Sequence, residues 1–489
     1  MVSSFFKNKP TERLLGQGIK AEHLSDVTLG KALDAINVYG QTKLFFEISF
    51  EILKEFSLFG KTKRLDSTSI TVSGDYNESD SDSDYEIGYG YSKDGHSDMK
   101  QFMINLATTG EADVPFWYEM KDGNSSDKKT FGESAISITN RLKNQVKEGL
   151  AEIHVSDSAL YTAENLQKMN GMKWLSRVSE TIKEAKEIIE NPTIAVSEWA
   201  QINENYSCIE HTSEYAGVKQ RWLIVFSKAA YEKEIDTFDN KLLGILEKLD
   251  KEIWHLENQE FDSIESAKLA VSKLDKTSKY YRIEIEKTEV KNYYKNKGRQ
   301  KKEEEPELQK YKVKLRHTPD KEAIQKTMNC KGKFILATNV DKAELSNADM
   351  LSSYKEMQGT ERGFRFLKDS WFMASEVYLK KKSRIASLMM IMTLCLLVYN
   401  FTQHYVRSYL KNNNETLPNQ KKKEVQNPTT RWIYQMIDYA NINVVRIKDI
   451  SGNYREVVTN IQPVHKKIIN IFGQDALRIY GYTYVNYFL

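Results

Sequence analysis

Apolar residues change their period along this chain, and each change marks an element. Leu29, Leu33 and Ile36 recur at helical spacing after Asp26, and a second helical run covers Leu44–Phe56. Arg64–Gly74, RLDSTSITVSG, is rich in Thr, Ile and Val and predicts a strand. Glu86–Tyr91, Gln101–Thr109 and Val114–Lys121 predict three more, and neighbouring strands with short turns imply an antiparallel meander. DGNSSD, residues 122–127, supplies turn and N-cap chemistry for a helix through about Leu150. Glu152–Asp157 predicts a short buried strand, followed by the helix-prone TAENL. Trp174–Ser179 then predicts a strand and Glu180–Glu190 a helix.

From 195 to 330 the pattern becomes that of a separate α+β region. Arg221–Ser227 predicts a strand, Ala230–Leu256 and Ser263–Leu274 predict helices, and Tyr280–Lys287 and Tyr311–Arg316 predict two strands. The joining segment, NYYKNKGRQKKEEEPE, is basic and then acidic. KFILAT, 333–338, predicts a buried strand, and Ser346 with Asp349 forms a capping box for the next helix. Along that helix Tyr354, Met357, Glu361 and Lys368 share one face, while Phe364, Phe366 and Leu367 can bury it. The apolar run Ile385–Tyr399 is about 15 residues, short of the roughly 20 that span a bilayer, and predicts a buried helix.

Composition narrows the chemistry. Lys and Arg number 71 against 68 acidic residues, a net charge of +3, so any nucleic-acid contact must come from local patches. Three dispersed cysteines form no CxxC, which argues against a disulfide framework or zinc ribbon and fits a reducing cytoplasm. The eight histidines show no metal-ligand spacing, so a metal site would be built from carboxylates and would favour Mg²⁺ or Mn²⁺. Asp80, Asp82 and Asp84 alternate as in a calcium loop, but Tyr85 stands where that loop needs Gly, so ESDSDSDYE reads as a solvated loop. Glu361 lies among Tyr354, Arg362, Arg365 and Lys368, a setting suited to holding a metal and a phosphate together or to ordinary ion pairs on a solvated face.

Three stretches together resemble one family. YKEMQGTERGFRFLK, 354–368, resembles the Y-x2-R-x3-E-x6-K signature of DDE transposases from bacterial insertion sequences, in the insertion-sequence-4 superfamily and its branch with long central insertions. Tyr354, Glu361 and Lys368 match, whereas Met357 stands where the signature has Arg. LDSTSI and SDSALYTAENL resemble the motifs of the first and second carboxylates, Asp66 and Asp157. GYSKDGHSD and DGNSSD also resemble the family at matching places and read as structural.

The resemblance implies an α/β, ribonuclease-H-like mixed sheet with flanking helices, interrupted by an inserted α+β region and preceded by a helical N-terminal part. The implied division is 1–60 helical, 61–194 and 331–410 catalytic, 195–330 inserted, and 411–489 C-terminal. It implies metal-dependent cleavage of insertion-sequence ends and strand transfer into target DNA, with Asp66, Asp157 and Glu361 holding two Mg²⁺ or Mn²⁺ ions. Tyr354 and Lys368 would contact DNA, and Arg362 or Arg365 would take the place of the missing Arg. The implied partner is double-stranded DNA, the terminal inverted repeats and the target, bound by a homodimer in the nucleoid-associated cytoplasm without a membrane. Two alternatives stay open: a truncated or non-catalytic DNA-binding remnant, and another ribonuclease-H-like metal nuclease.

Overall fold

The computed structural model describes residues 2–76, 83–145, 152–190, 196–294, 306–369, 379–438 and 442–480. The chain opens with helices α1 (Val2–Phe6), α2 (Thr11–Leu15), α3 (Asp26–Tyr39) and α4 (Gln41–Glu55). Strands β1 (Thr62–Val72), β2 (Lys100–Thr109) and β3 (Pro115–Lys121) follow, then α5 (Asp127–Gln145), β4 (Ile153–Ser156), α6 (Ala163–Lys168) and β5 (Lys173–Arg177). Next come α7 (Lys183–Glu190), β6 (Ala200–Asn203), β7 (Tyr206–Tyr215), β8 (Val218–Ser227), α8 (Lys228–Asn258) and α9 (Ile264–Thr277). The series continues with β9 (Tyr281–Tyr293), β10 (Leu308–Pro319), α10 (Lys321–Asn329), β11 (Lys333–Thr338) and α11 (Asn347–Lys355). Helices α12 (Gln358–Lys368) and α13 (Lys382–Asn412) precede a smaller C-terminal group.

The chain forms two compact units, one from Met1–Leu175 with Leu351–Leu489 and one from Ser176–Met350. In the first, the strands run in the order β3-β2-β1-β4-β5. β1 pairs antiparallel with β2, and β2 with β3, which is the expected meander. β4 returns parallel to β1, with Arg64 opposite Val155. The unit is therefore a mixed sheet. Helices cover both faces. Asn105 on β2 donates to Ser134 of α5 on one face. On the other, Thr108 of β2 shares a hydrogen bond with Thr360 of α12, and Tyr118 of β3 donates to the Ala386 carbonyl of α13.

Helix α13 is long and apolar enough to cross a membrane by length and composition, and half of its most apolar window is buried within this unit. Ile385, Met389, Met390 and Leu396 are core residues, and Ser387 donates to the Leu33 carbonyl of α3. Arg384 completes that junction with a two-pronged ion pair to Asp34.

The second unit contains antiparallel strands in the order β11-β8-β7-β6 and a separate β9–β10 ribbon. The strands read as 280–287 and 311–316 are each longer at both ends or at the tip than the pattern predicted, because paired polar residues extend the ladder beyond its apolar part. Residues 295–305, most of the basic-then-acidic segment, lie outside the described residues, as do residues 77–82 of the acidic stretch.

Two expectations are corrected. Glu86–Tyr91 is not a strand. It makes an isolated bridge from Gly88 to Gln101, and Gly90 lies so close to the Gly123 carbonyl that no side chain fits there. The helix expected to run unbroken through Tyr354–Lys368 is broken at Glu356 and Met357, so Tyr354 ends α11 while Glu361 and Lys368 belong to α12. The break tightens the backbone, with Met357 N donating to the Tyr354 carbonyl at 3.1 Å, and the Glu356 side chain is held by the buried Arg64.

Candidate functional site

The register of the two parallel strands places the first two carboxylates. Lys63 lies opposite His154 and Arg64 opposite Val155. Two residues further along both chains come Asp66, inside β1, and Asp157, immediately after β4. Because side chains alternate across a strand, Asp66 projects to the same face as Arg64; the pairing itself ends at Arg64 and Val155, and Asp157 lies near enough for its charge to act on Asp66. Asp66 pairs with Leu106 and Arg64 with Thr108, so this is the face on which Thr360 of α12 rests. Glu361 is the next residue of that helix and is exposed.

Lys93 and Asp127 complete the neighbourhood. Lys93 Nζ donates to the Ser67 carbonyl and hydroxyl, both at 2.7 Å, and pairs with Asp127 at 2.7 Å. Ser67 Oγ donates to the other Asp127 oxygen. Desolvation raises Asp66 to about 7, and the charges of Asp157 and Asp127 push the same way against the opposing pull of Lys93 and the Ser67 N–H. That value accompanies a side chain that is only partly covered. Asp157 is also raised, chiefly by desolvation, against a backbone hydrogen bond from Ala159. A site that holds carboxylates above their ordinary range wants a positive charge, and Lys93 supplies one.

The end of α12 reaches the same loop. Lys368 donates to Asp94 at 2.6 Å, next to Lys93. Arg362 pairs with Asp113 at 3.2 Å, and Arg365 is exposed. Tyr354 is half-buried at the end of α11. Met357, only 7% exposed, is a core residue, so the position where the signature has Arg faces inward. Phe364, Phe366 and Leu367 are buried as their spacing predicts.

Hard oxygen donors suit a divalent ion, and Asp66 and Asp157 fit in type. Among the described residues, however, no three His, Cys, Asp or Glu side chains gather closely enough to hold a metal ion. The sequence reading assigned Lys93 and Asp127 only structural roles. The signal that singled them out was their place in GYSKDGHSD and DGNSSD, the two stretches that resemble the family without containing a carboxylate of the triad.

Residues 1–50 match the family model of a domain of unknown function, DUF4277. No curated protein matches the chain.

Proposed function

We propose that the chain is a DNA transposase of the DDE type, with a ribonuclease-H-like catalytic unit in which Asp66, Asp157 and Glu361 act on the phosphodiester at the ends of an insertion sequence. The observation that supports this reading is the parallel pairing of β1 and β4, which brings the strand that carries Asp66 beside the strand that ends just before Asp157, where the Asp157 charge acts on Asp66. Two carboxylates 91 positions apart in sequence thus come near one another.

Asp66, Asp157 and Glu361 would hold Mg²⁺ or Mn²⁺, which when bound would activate the attacking oxygen and stabilise the leaving one. The chain's own residues do the rest. Lys93 holds a positive charge beside the paired aspartates, and Ser67 and Asp127 fix its ammonium. Arg365 offers an exposed guanidinium to DNA phosphate, and Lys368 and Arg362 can exchange their carboxylate partners for phosphates. Tyr354 would contact DNA from the adjoining helix. The proposed partner is double-stranded DNA, and the proposed setting is the cytoplasm, in the nucleoid.

One observation favours a second reading, a non-catalytic DNA-binding remnant: the described acidic residues form no group of three able to hold a metal ion. The deciding experiment is cleavage of a labelled duplex carrying the gene's own flanking ends, in Mg²⁺ or Mn²⁺, with Ca²⁺ and Asp157→Ala as controls. Metal-dependent breaks at the ends, absent in both controls, support the transposase. End binding without cleavage supports the remnant, and neither binding nor cleavage removes both.

A further inference from the structure

The β9–β10 ribbon of the second unit carries a charge pattern that its fold does not require. Its inner face is apolar: Ile283, Val313 and Leu315 are buried in one cluster with Phe238, Leu249 and Val271 of α8 and α9. The register then fixes the outer face. A bulge at Glu286 lets Ile285 pair with Leu315 and Lys287 with Lys314. The outer residues of β9 are Arg282, Glu284, Lys287, Glu289 and Lys291. Those of β10 are Lys310, Lys312, Lys314 and Arg316. Cations therefore outnumber carboxylates by a wide margin on one face.

Two pairs on that face set like charges directly opposite each other, Lys287 against Lys314 and Lys291 against Lys310. Such pairs destabilise a ladder. At the tip, Glu260 and Asp262 relieve Lys291 and Lys310, and Lys287 meets Glu289 at 3.1 Å. Lys312, Lys314 and Arg316 make no ion pair within 4.0 Å among the described residues, although Glu289 and Glu284 lie opposite Lys312 and Arg316 in the ladder. Successive cations on one strand stand about 6.8 Å apart, and a two-stranded ribbon is narrow enough to enter a major groove roughly 12 Å wide. A polyanion laid along this face would meet the cations that remain in excess over these carboxylates.

We infer that the outer face of the β9–β10 ribbon binds the phosphate backbone of duplex DNA without reading its bases. The inference rests on the reading of the chain as a DNA-acting protein and assigns the inserted unit a part in holding the duplex. The lysines dominate the face as point charges, which position a backbone and carry no sequence information.

The test measures binding of the full chain to a labelled duplex of arbitrary sequence across a range of salt concentrations. The variant is Lys312→Gln, Lys314→Gln and Arg316→Gln combined, all on the ribbon's outer face, with circular dichroism to verify the fold. Three lost phosphate contacts should lower the slope of log K against log salt by about 2.7 and weaken binding by roughly 10²-fold or more at about 0.1 M salt. Combining Glu284→Gln with Glu289→Gln should strengthen binding, the opposite sign from the same face. If the wild-type chain binds duplex and the triple variant keeps its slope and affinity, the inference is overturned while the function stands. If the wild-type chain binds no duplex, both fall. A loss confined to particular sequences would also overturn backbone binding.

Discussion

Arg64 donates to Glu356, and this contact joins the strand that carries Asp66 to the turn that precedes Glu361. Arg64 is 1% exposed and also donates to Asp113 and to the Gly110 carbonyl. One guanidinium thus serves a carboxylate on either side and a backbone acceptor. Substituting Arg64 by Ala leaves Asp113 and the Gly110 carbonyl short of a donor and should cost about 3–5 kcal/mol. Lys offers no fork and should restore less than half of that. Glu356→Gln, at a side chain nearly half exposed, should cost well under half as much. Urea denaturation checks all three, and equal losses for Arg64→Ala and Glu356→Gln would refute this ranking.

Met357 invites the substitution that would complete the family signature. The sequence pattern suggests that Met357→Arg would strengthen binding to cleaved ends. The structure sets a stability cost against that change, because the side chain is buried. A guanidinium there has to be desolvated or must push the helix off the sheet, at a cost of about 2–4 kcal/mol. The midpoint of thermal unfolding should drop by several degrees; an unchanged midpoint would show that the position can turn outward.

Asp66 makes stability depend on pH. Its folded value, about 7, lies above the ordinary 3.8, so the folded protein holds the proton more tightly than the unfolded chain does. The stabilisation is fully present below about pH 4 and is lost as pH rises through about 7, amounting to a few kcal/mol. Asp66→Asn should flatten that decline, raising the unfolding midpoint at pH 8 and hardly changing it at pH 4. A pH profile identical to wild type would contradict the assignment.

Gly359 permits the close approach of α12 to the loop after β2. A Cβ at that position would fall 2.0 Å from Oδ1 of Asp113, an aspartate already held by Arg64. Gly359→Ala should therefore destabilise by about 1–3 kcal/mol, despite the better helix propensity of Ala. Equilibrium denaturation is the measurement, and a stabilised variant would mean that Asp113 can leave Arg64 without loss.

The strands of the first unit were legible because their chemistry is local. Thr, Ile and Val at β1, and the short apolar runs of β2 and β3 bounded by turn residues, need no distant partner to be recognised. The cap at Ser346 was legible for the same reason, since its hydroxyl bonds an amide three residues on. The break before α12 was not. The spacing of Tyr354, Met357 and Glu361 continues straight through it, and the group that holds Glu356 sits on β1. Lys93 and Asp127 were hidden likewise: each looks like a turn residue until folding brings Ser67 between them.

The interval between Arg64 and Glu356 also sets a clock. The partners are 292 residues apart. A ribosome adding about 5–20 residues per second needs roughly 15–60 s to pass from one to the other. Throughout that time the nascent chain has made β1, its neighbours and Asp113, but not Glu356, the second carboxylate that the guanidinium holds. The first unit therefore closes late, after the whole intervening unit has been synthesised. A polypeptide that stops short of residue 356 holds Arg64 with only one of its two carboxylate partners.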